Sequence, residues 1–241
     1  MTDRYVWLLW ASAFLLPWAV LYLAYPAHRT AMWRTSAVTS LFGLTEPLFV
    51  PEYWNPPSLF DLAQRTGFDL ESLIFCFAIG GIAAVLYNIA LRERWVQGEP
   101  GERAAPRHRY HLAAIIAPFV VFVPLVLLPW NPIYPSLVAL LVGAVAAALC
   151  RPDLWWKSLI GGHLFAGFYM VFMLALEFSA PGYVERVWNL KALSGLSLGP
   201  VPLEEIAFGF LFGAYWTGVY EHLTWKRSVP AGPGANYGGL K

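Results

Sequence analysis

Charge is what this sequence has least of. Asp, Glu, Lys and Arg make up 13% of its 241 residues, and the formal net charge is +1. With no basic stripe beyond one short loop, a nucleic-acid partner is not expected. Only two cysteines occur, Cys76 and Cys150, too few for a disulfide framework. They fall at opposite ends of different apolar runs, too far apart to bridge, and read as packing residues. The P-loop, the dinucleotide fingerprint, GxSxG and HExxH are absent, as is an Asp-rich prenyltransferase motif. No lysine stands in the last apolar run, which disfavours a retinal Schiff base. His108 and His111 border a charged loop without a ligand-like set of partners, and His163 reads as a hydrogen-bonded core residue, so no metal site is expected.

What the chain has instead is apolar surface. It is 58% hydrophobic and 17% aromatic, with Trp 12 and Tyr 12, too apolar for a soluble domain and arranged in blocks long enough to span a bilayer. Seven spans are predicted: Tyr5–Tyr25, Ala31–Val50, Leu70–Leu91, His111–Trp130, Tyr134–Cys150, Trp155–Leu176 and Leu203–Leu223. The first is too long for a signal-peptide core and is followed by Arg29 and Arg34. A proline-clamped loop and a short amphipathic piece, Ser58–Gly67, separate the second and third spans. The stretch Arg92–Arg109 is the only obvious linker, and the Gly- and Pro-rich tail from Pro230 is expected to be disordered.

The loops set an orientation. Arg29, Arg34, Arg92, Arg94, Arg103, Arg107, Arg109, Arg151, Lys157, Lys226, Arg227 and Lys241 fall on one side of seven spans. Only Arg4, Arg65, Arg186 and Lys191 fall on the other. The basic side is cytoplasmic by the positive-inside rule, so the N-terminus is expected outside an inner (cell) membrane and the C-terminus in the cytoplasm.

The chain also repeats itself. Leu203, Glu204, Phe208, Phe210, Gly213 and Tyr220 recur at Leu70, Glu71, Phe75, Phe77, Gly80 and Tyr87 with a constant offset, where roughly one such match would arise by chance. Glu46, Pro51, Tyr53, Trp54 and Asn55 are echoed by Glu177, Pro181, Tyr183, Trp188 and Asn189. The fold expected is therefore an all-α integral membrane protein of seven transmembrane helices. Two parallel three-helix repeats, 1–92 and 134–225, are joined by a cytoplasmic loop and connecting helix, 93–133, and followed by a flexible tail, 226–241.

Acids at or within a membrane boundary are costly and by default suggest a functional cavity. Glu71 and Glu204 stand in the first turn of a predicted helix, where a carboxylate can simply answer the free N–H groups and the helix dipole. Against that stand their recurrence in both halves and a second matched pair, Glu46 and Glu177, at the outer ends of spans two and six. Glu204 and Glu205 are about 100° apart on the helix and cannot face the same way. Phe208 lies one turn beyond Glu204. Carboxyls against aromatic rings suit proton-initiated rearrangement of a polyene, since desolvation keeps a proton available and ring faces stabilise a cation. They equally suit a proton-coupled transporter or a carotenoid-binding scaffold.

The Pro202-Leu203-Glu204-Glu205 motif followed by Phe208, the acid-then-Trp-Asn segment before it and the three-span repeat resemble the membrane-integral lycopene cyclases, in the fused form of the two-subunit bacterial enzymes. The resemblance runs from about residue 5 to 223. It implies redox-neutral closure of the linear ψ-end of a carotenoid into a β-ring, an isomerisation that needs no cofactor. It implies Glu204, Glu205, Glu71, Glu46 and Glu177 as the catalytic acids, with Glu204 the proton donor and Glu71 or Glu205 the base. Trp54, Asn55, Phe75, Trp188, Asn189 and Phe208 would line the substrate. The partners implied are an apolar carotenoid or isoprenoid, the lipid bilayer, and either a second copy of the chain or other carotenoid-pathway enzymes. The first half departs from the motif: Asp69-Leu70-Glu71-Ser72 lacks both the Pro and the second Glu.

Overall fold

The computed structural model describes residues 3–99 and 101–232. The chain is mostly helical. Its elements in order are α1 (Val6–Ala13), α2 (Leu15–Ala24), α3 (Arg29–Ser40), α4 (Leu62–Thr66), α5 (Leu70–Ala90), β1 (Glu93–Gln97), α6 (His111–Leu125), α7 (Ile133–Cys150), α8 (Trp155–Ser179), α9 (Tyr183–Val187), β2 (Ser197–Leu198), β3 (Val201–Pro202), α10 (Leu203–Trp216), α11 (Val219–Thr224) and β4 (Lys226–Pro230). Among the described residues, five helical stretches are long and apolar enough to cross a membrane: Asp3–Ala24, Leu70–Ala90, His108–Leu125, Ile133–Cys150 and Pro152–Ser179. Their outward faces carry apolar side chains such as Leu112, Leu149 and Phe178, which are 69%, 74% and 89% exposed, as surface meant for lipid does.

The other two expected spans are helical but interrupted, for reasons their residues supply. Span two begins as α3 and tightens into a 3-10 helix over Leu41–Leu48, which contains Pro47. Its wall is polar: Thr35 and Thr39 turn their hydroxyls back onto the carbonyls of Ala31 and Thr35 at 2.8 and 2.6 Å. Span seven is α10, then a break at Thr217-Gly218, then α11. Span one is itself broken at Phe14, because Pro17 has no N–H to give and its ring crowds the carbonyl four residues back.

The helices pack mainly as α3 on α5, α8 on α10, α6 on α7 and α10 on α7. Two glycines at matched positions set the first two contacts. A Cβ at Gly80 would strike Thr39 of α3. One at Gly213 would lie 2.6 Å from Phe165 Cβ and 2.9 Å from the Gly161 carbonyl of α8. Only a hydrogen lets these backbones approach so closely.

Two corrections concern the segments read as loop and tail. β1, within the expected linker, pairs antiparallel with β4, which opens the expected flexible tail; Trp95 lies opposite Ser228. Lys226–Pro230 is thus tied into the structure, and the rest of the tail beyond residue 232 lies outside the described residues. Lys157 and Arg151, counted as loop charges, are buried, at 4% and 0% exposure. Lys157 Nζ, on α8, donates to Glu221 of α11, to Asn88 Oδ1 of α5 and, at 2.9 Å, to Ser228 Oγ of β4.

Candidate active site

A cavity of ≈ 310 Å³ opens in the middle of these packed helices. Its walls are Trp7, Trp10 and Phe14 from the first span, Thr39, Phe42, Gly43, Thr45 and Glu46 from the second, and Ser72, Phe75, Cys76 and Ile79 from α5. Pro118, Phe119 and Phe122 of α6 and Ser136 of α7 close a third side. Tyr169, Phe172 and Met173 of α8, with Glu205, Phe208, Phe212 and Trp216 of α10, complete it. The rings form a continuous lining. Trp54 and Trp188 lie 5.2 Å apart, Trp7 stands edge-on to Trp54 at 4.6 Å, and Phe208, Phe212 and Trp216 stack down α10 at 5.5 Å intervals.

Two carboxyls reach this cavity, Glu205 and Glu46. Glu205 is buried and held by three donors. Tyr53 Oη and Trp188 Nε1 both donate to its Oε1, the latter at 2.6 Å, and Tyr169 Oη donates to Oε2 at 2.6 Å. Three donors on one buried carboxyl fix its orientation in the cavity wall. Glu46 is buried on the opposite helix pair, and its Oε1 has no hydrogen-bond partner. Next to it Asp69 caps α5, accepting from the Ser72 N–H at 2.5 Å. Burial raises the Asp69 carboxyl above its ordinary range, against the lowering effect of that bond.

Glu71, Glu204 and Glu177 do different work. Glu204 Oε1 accepts from Ser194 N at 2.8 Å and Tyr134 Oη at 2.9 Å, and its side chain borders a separate pocket shared with Glu177. Glu71 Oε1 accepts from Leu59 N at 2.7 Å. Each of these matched acids therefore reaches back and pins the loop that leads into its own helix. Glu177 accepts from the Gly182 and Val184 amides and shapes the turn into α9. None of the three lines the aromatic cavity. Of the expected substrate contacts, Trp54, Phe75, Trp188 and Phe208 do line it. Asn55 and Asn189 instead stitch loops: Asn55 N donates to Val187 O at 2.9 Å and Asn189 Nδ2 to Glu52 O at 3.0 Å.

The sequence placed Glu204 on the ring-bearing face and Glu205 away from it; the helix places them the other way round. The residue pattern held the answer. At 100° per residue, Phe208, Phe212 and Trp216 span an arc whose centre is about 20° from Glu205 and about 80° from Glu204. Using all three rings rather than Phe208 alone selects Glu205. Tyr169 had no such herald: a lone Tyr in an apolar span signals only that a buried hydroxyl needs a partner. Cys76, read as a packing residue, lines the cavity. His163 lies exposed on α8 rather than in the core, bonded to the Leu159 carbonyl at 2.9 Å.

No curated protein and no solved structure matches the chain. One family model does, that of the lycopene cyclases, over residues 131–223. The match is shorter than half the chain, but it takes in α7, α8 and α10, and with them Tyr169, Trp188 and Glu205. Residues 131–223 of this chain are thus similar to a lycopene cyclase domain.

Proposed function

We propose that the protein is a carotenoid β-cyclase of the lycopene cyclase type, closing the ψ-end of a linear carotenoid inside the aromatic cavity. The observation that carries this is the pairing of two unlike carboxyls in one apolar chamber: Glu205 with three donors, Glu46 with an oxygen left bare. An apolar wall tolerates a neutral acid better than an ionised one, which suits Glu46 to carry the proton. Glu46 gives that proton to the terminal double bond, generating a tertiary cation. The inner double bond attacks this cation, forming the ring bond and moving the positive charge onto the ring. Glu205 stabilises that charge and then removes the adjacent ring proton, restoring a double bond. Atoms balance as an isomerisation, and the proton must pass back from Glu205 to Glu46 before the next turnover. The faces of Trp54, Trp188 and Phe208 supply further cation stabilisation.

The two halves act as one site. Asn55 N donates to Val187 O and Asn189 N to Tyr53 O, both at 2.9 Å, a reciprocal pair of the kind a two-fold relation between repeats would produce. The position matched to Glu205 in the first half is Ser72, which also lines the cavity. A seven-span bundle of two parallel repeats, 1–92 and 134–225, around α6 accounts for this arrangement.

Expression of the full chain in a lycopene-accumulating bacterium should shift the pigment from lycopene to a cyclic product. Unchanged lycopene in cells whose membranes contain the protein would overturn the proposal; lycopene co-purifying unaltered would favour a binding scaffold. In the same cells the loop Arg92–Arg109 is expected to face the cytoplasm. A cysteine introduced by Ala104→Cys should resist a membrane-impermeant thiol reagent until lysis, and labelling of intact cells would reverse the orientation.

A further inference from the structure

At the far end of α6 and α7 from the linking Trp130 region, the fold assembles a group that the linear sequence scatters. His108 and His111, at the start of α6, both turn Nδ1 toward Cys150 Sγ at the end of α7, at 3.4 and 3.3 Å. The three ligand atoms lie within 4.8 Å of one another. We infer that this His108–His111–Cys150 group is a zinc site.

Three observations support it. The first is metric. Tetrahedral Zn²⁺ with Zn–S ≈ 2.3 Å and Zn–N ≈ 2.0–2.1 Å puts sulfur and nitrogen about 3.5 Å apart, close to both observed separations. The second is orientation. His111 Nε2 lies 2.9 Å from the His222 carbonyl, a contact in which only a ring N–H can serve as donor. That fixes the tautomer and leaves the Nδ1 lone pair aimed at the site, the arrangement typical of a metal-binding imidazole. The His111 ring is also clamped by Trp225, stacked at 4.1 Å. The third is charge. Arg151, beside Cys150, would oppose a cation, but it is paired with Asp153 at 2.6 Å and with Glu102 at 3.6 Å. On binding, the Cys150 thiol releases its proton to solvent and the thiolate becomes the soft ligand. Water would supply the fourth ligand. Placed here, zinc would lock the ends of the α6–α7 hairpin together, away from the aromatic cavity, and so stabilise the enzyme without entering the ring closure.

The full-length protein, purified in detergent through a histidine-free tag, should retain close to one Zn²⁺ per chain after dialysis, and its melting temperature should fall on chelation and recover with Zn²⁺. Co²⁺ in place of zinc should give tetrahedral ligand-field bands and a thiolate charge-transfer band. Cys150→Ser and His111→Ala should lose the metal and the chelator response, while His163→Ala keeps both. Failure to bind stoichiometric Zn²⁺, Co²⁺ bound without a thiolate band, or retention of metal by Cys150→Ser would each overturn the assignment. The Co²⁺ spectrum of the wild-type protein decides the matter even if a variant does not fold.

Discussion

Glu205→Gln is expected to lower cyclisation by about 100- to 10,000-fold while the protein accumulates normally in the membrane. Gln keeps the size of the side chain. Its amide can still be satisfied, because the Tyr53 and Tyr169 hydroxyls that donate to Glu205 can rotate to accept instead. What disappears, on the proposed mechanism, is the oxygen that would take the ring proton. Glu204→Gln is the contrast. It removes a charge that pins Ser194 N and Tyr134, which should loosen the loop before α10 by about 1 kcal/mol or so and leave turnover close to wild type. Product formation and folded protein measured in the same membranes separate the two effects. Wild-type turnover by Glu205→Gln would remove Glu205 from the mechanism, and a selective loss in Glu204→Gln would restore that residue to it.

The largest expected loss of stability lies elsewhere, in the buried Lys157–Glu221 pair. Glu221→Ala leaves the Lys157 ammonium, 4% exposed, without its carboxylate, held by hydrogen bonds to Asn88 and Ser228 and by the Tyr87 and Trp95 rings. Stranding one member of a buried ion pair costs about 3–5 kcal/mol, more than the pair contributes relative to an apolar replacement. For a chain of this length that corresponds to a fall in melting temperature on the order of 10 °C. The double variant Lys157→Met/Glu221→Leu should recover most of the loss, because no charge is then left without its partner. A single variant that melts with the wild type, or a double variant worse than the single, would contradict this account of the network.

How far the sequence reached depended on the range of the interaction. Apolar runs are local, and five of them appear as helices of spanning length where the hydropathy placed them. The interruptions in spans two and seven are less visible, since a Pro47 or a Gly218 in an apolar run can either be absorbed or break the helix, and packing decides which. The acids were legible as a set but not by role. Glu204 and Glu205 are adjacent in sequence, and their exchange turns on the rotation of α10 about its axis, which Gly213 fixes by close approach to α8. Glu71 and Glu204 each anchor the loop before their own helix, through Leu59 N and Ser194 N, a structural use that recurrence in sequence alone cannot tell from chemistry. Cys150 with His108 and His111 joins residues about 40 positions apart through an antiparallel hairpin; the sequence showed each separately and gave no reason to put them together.

The donors around Glu205 carry a consequence for how the chamber is assembled. Tyr53 is made early, Tyr169 and Trp188 late, and Glu205 later still, yet all four meet at one carboxylate. During synthesis and insertion the first three spans stand in the bilayer with Tyr53 present but its carboxylate partner not yet made. Only when α10 enters and docks on α8 does the last side chain arrive and the chamber gain its carboxyl. On the proposed mechanism, a chain still being inserted would be inert toward the polyenes dissolved around it, and the capacity to make a carbocation would arise only once the surrounding rings are in place to contain it.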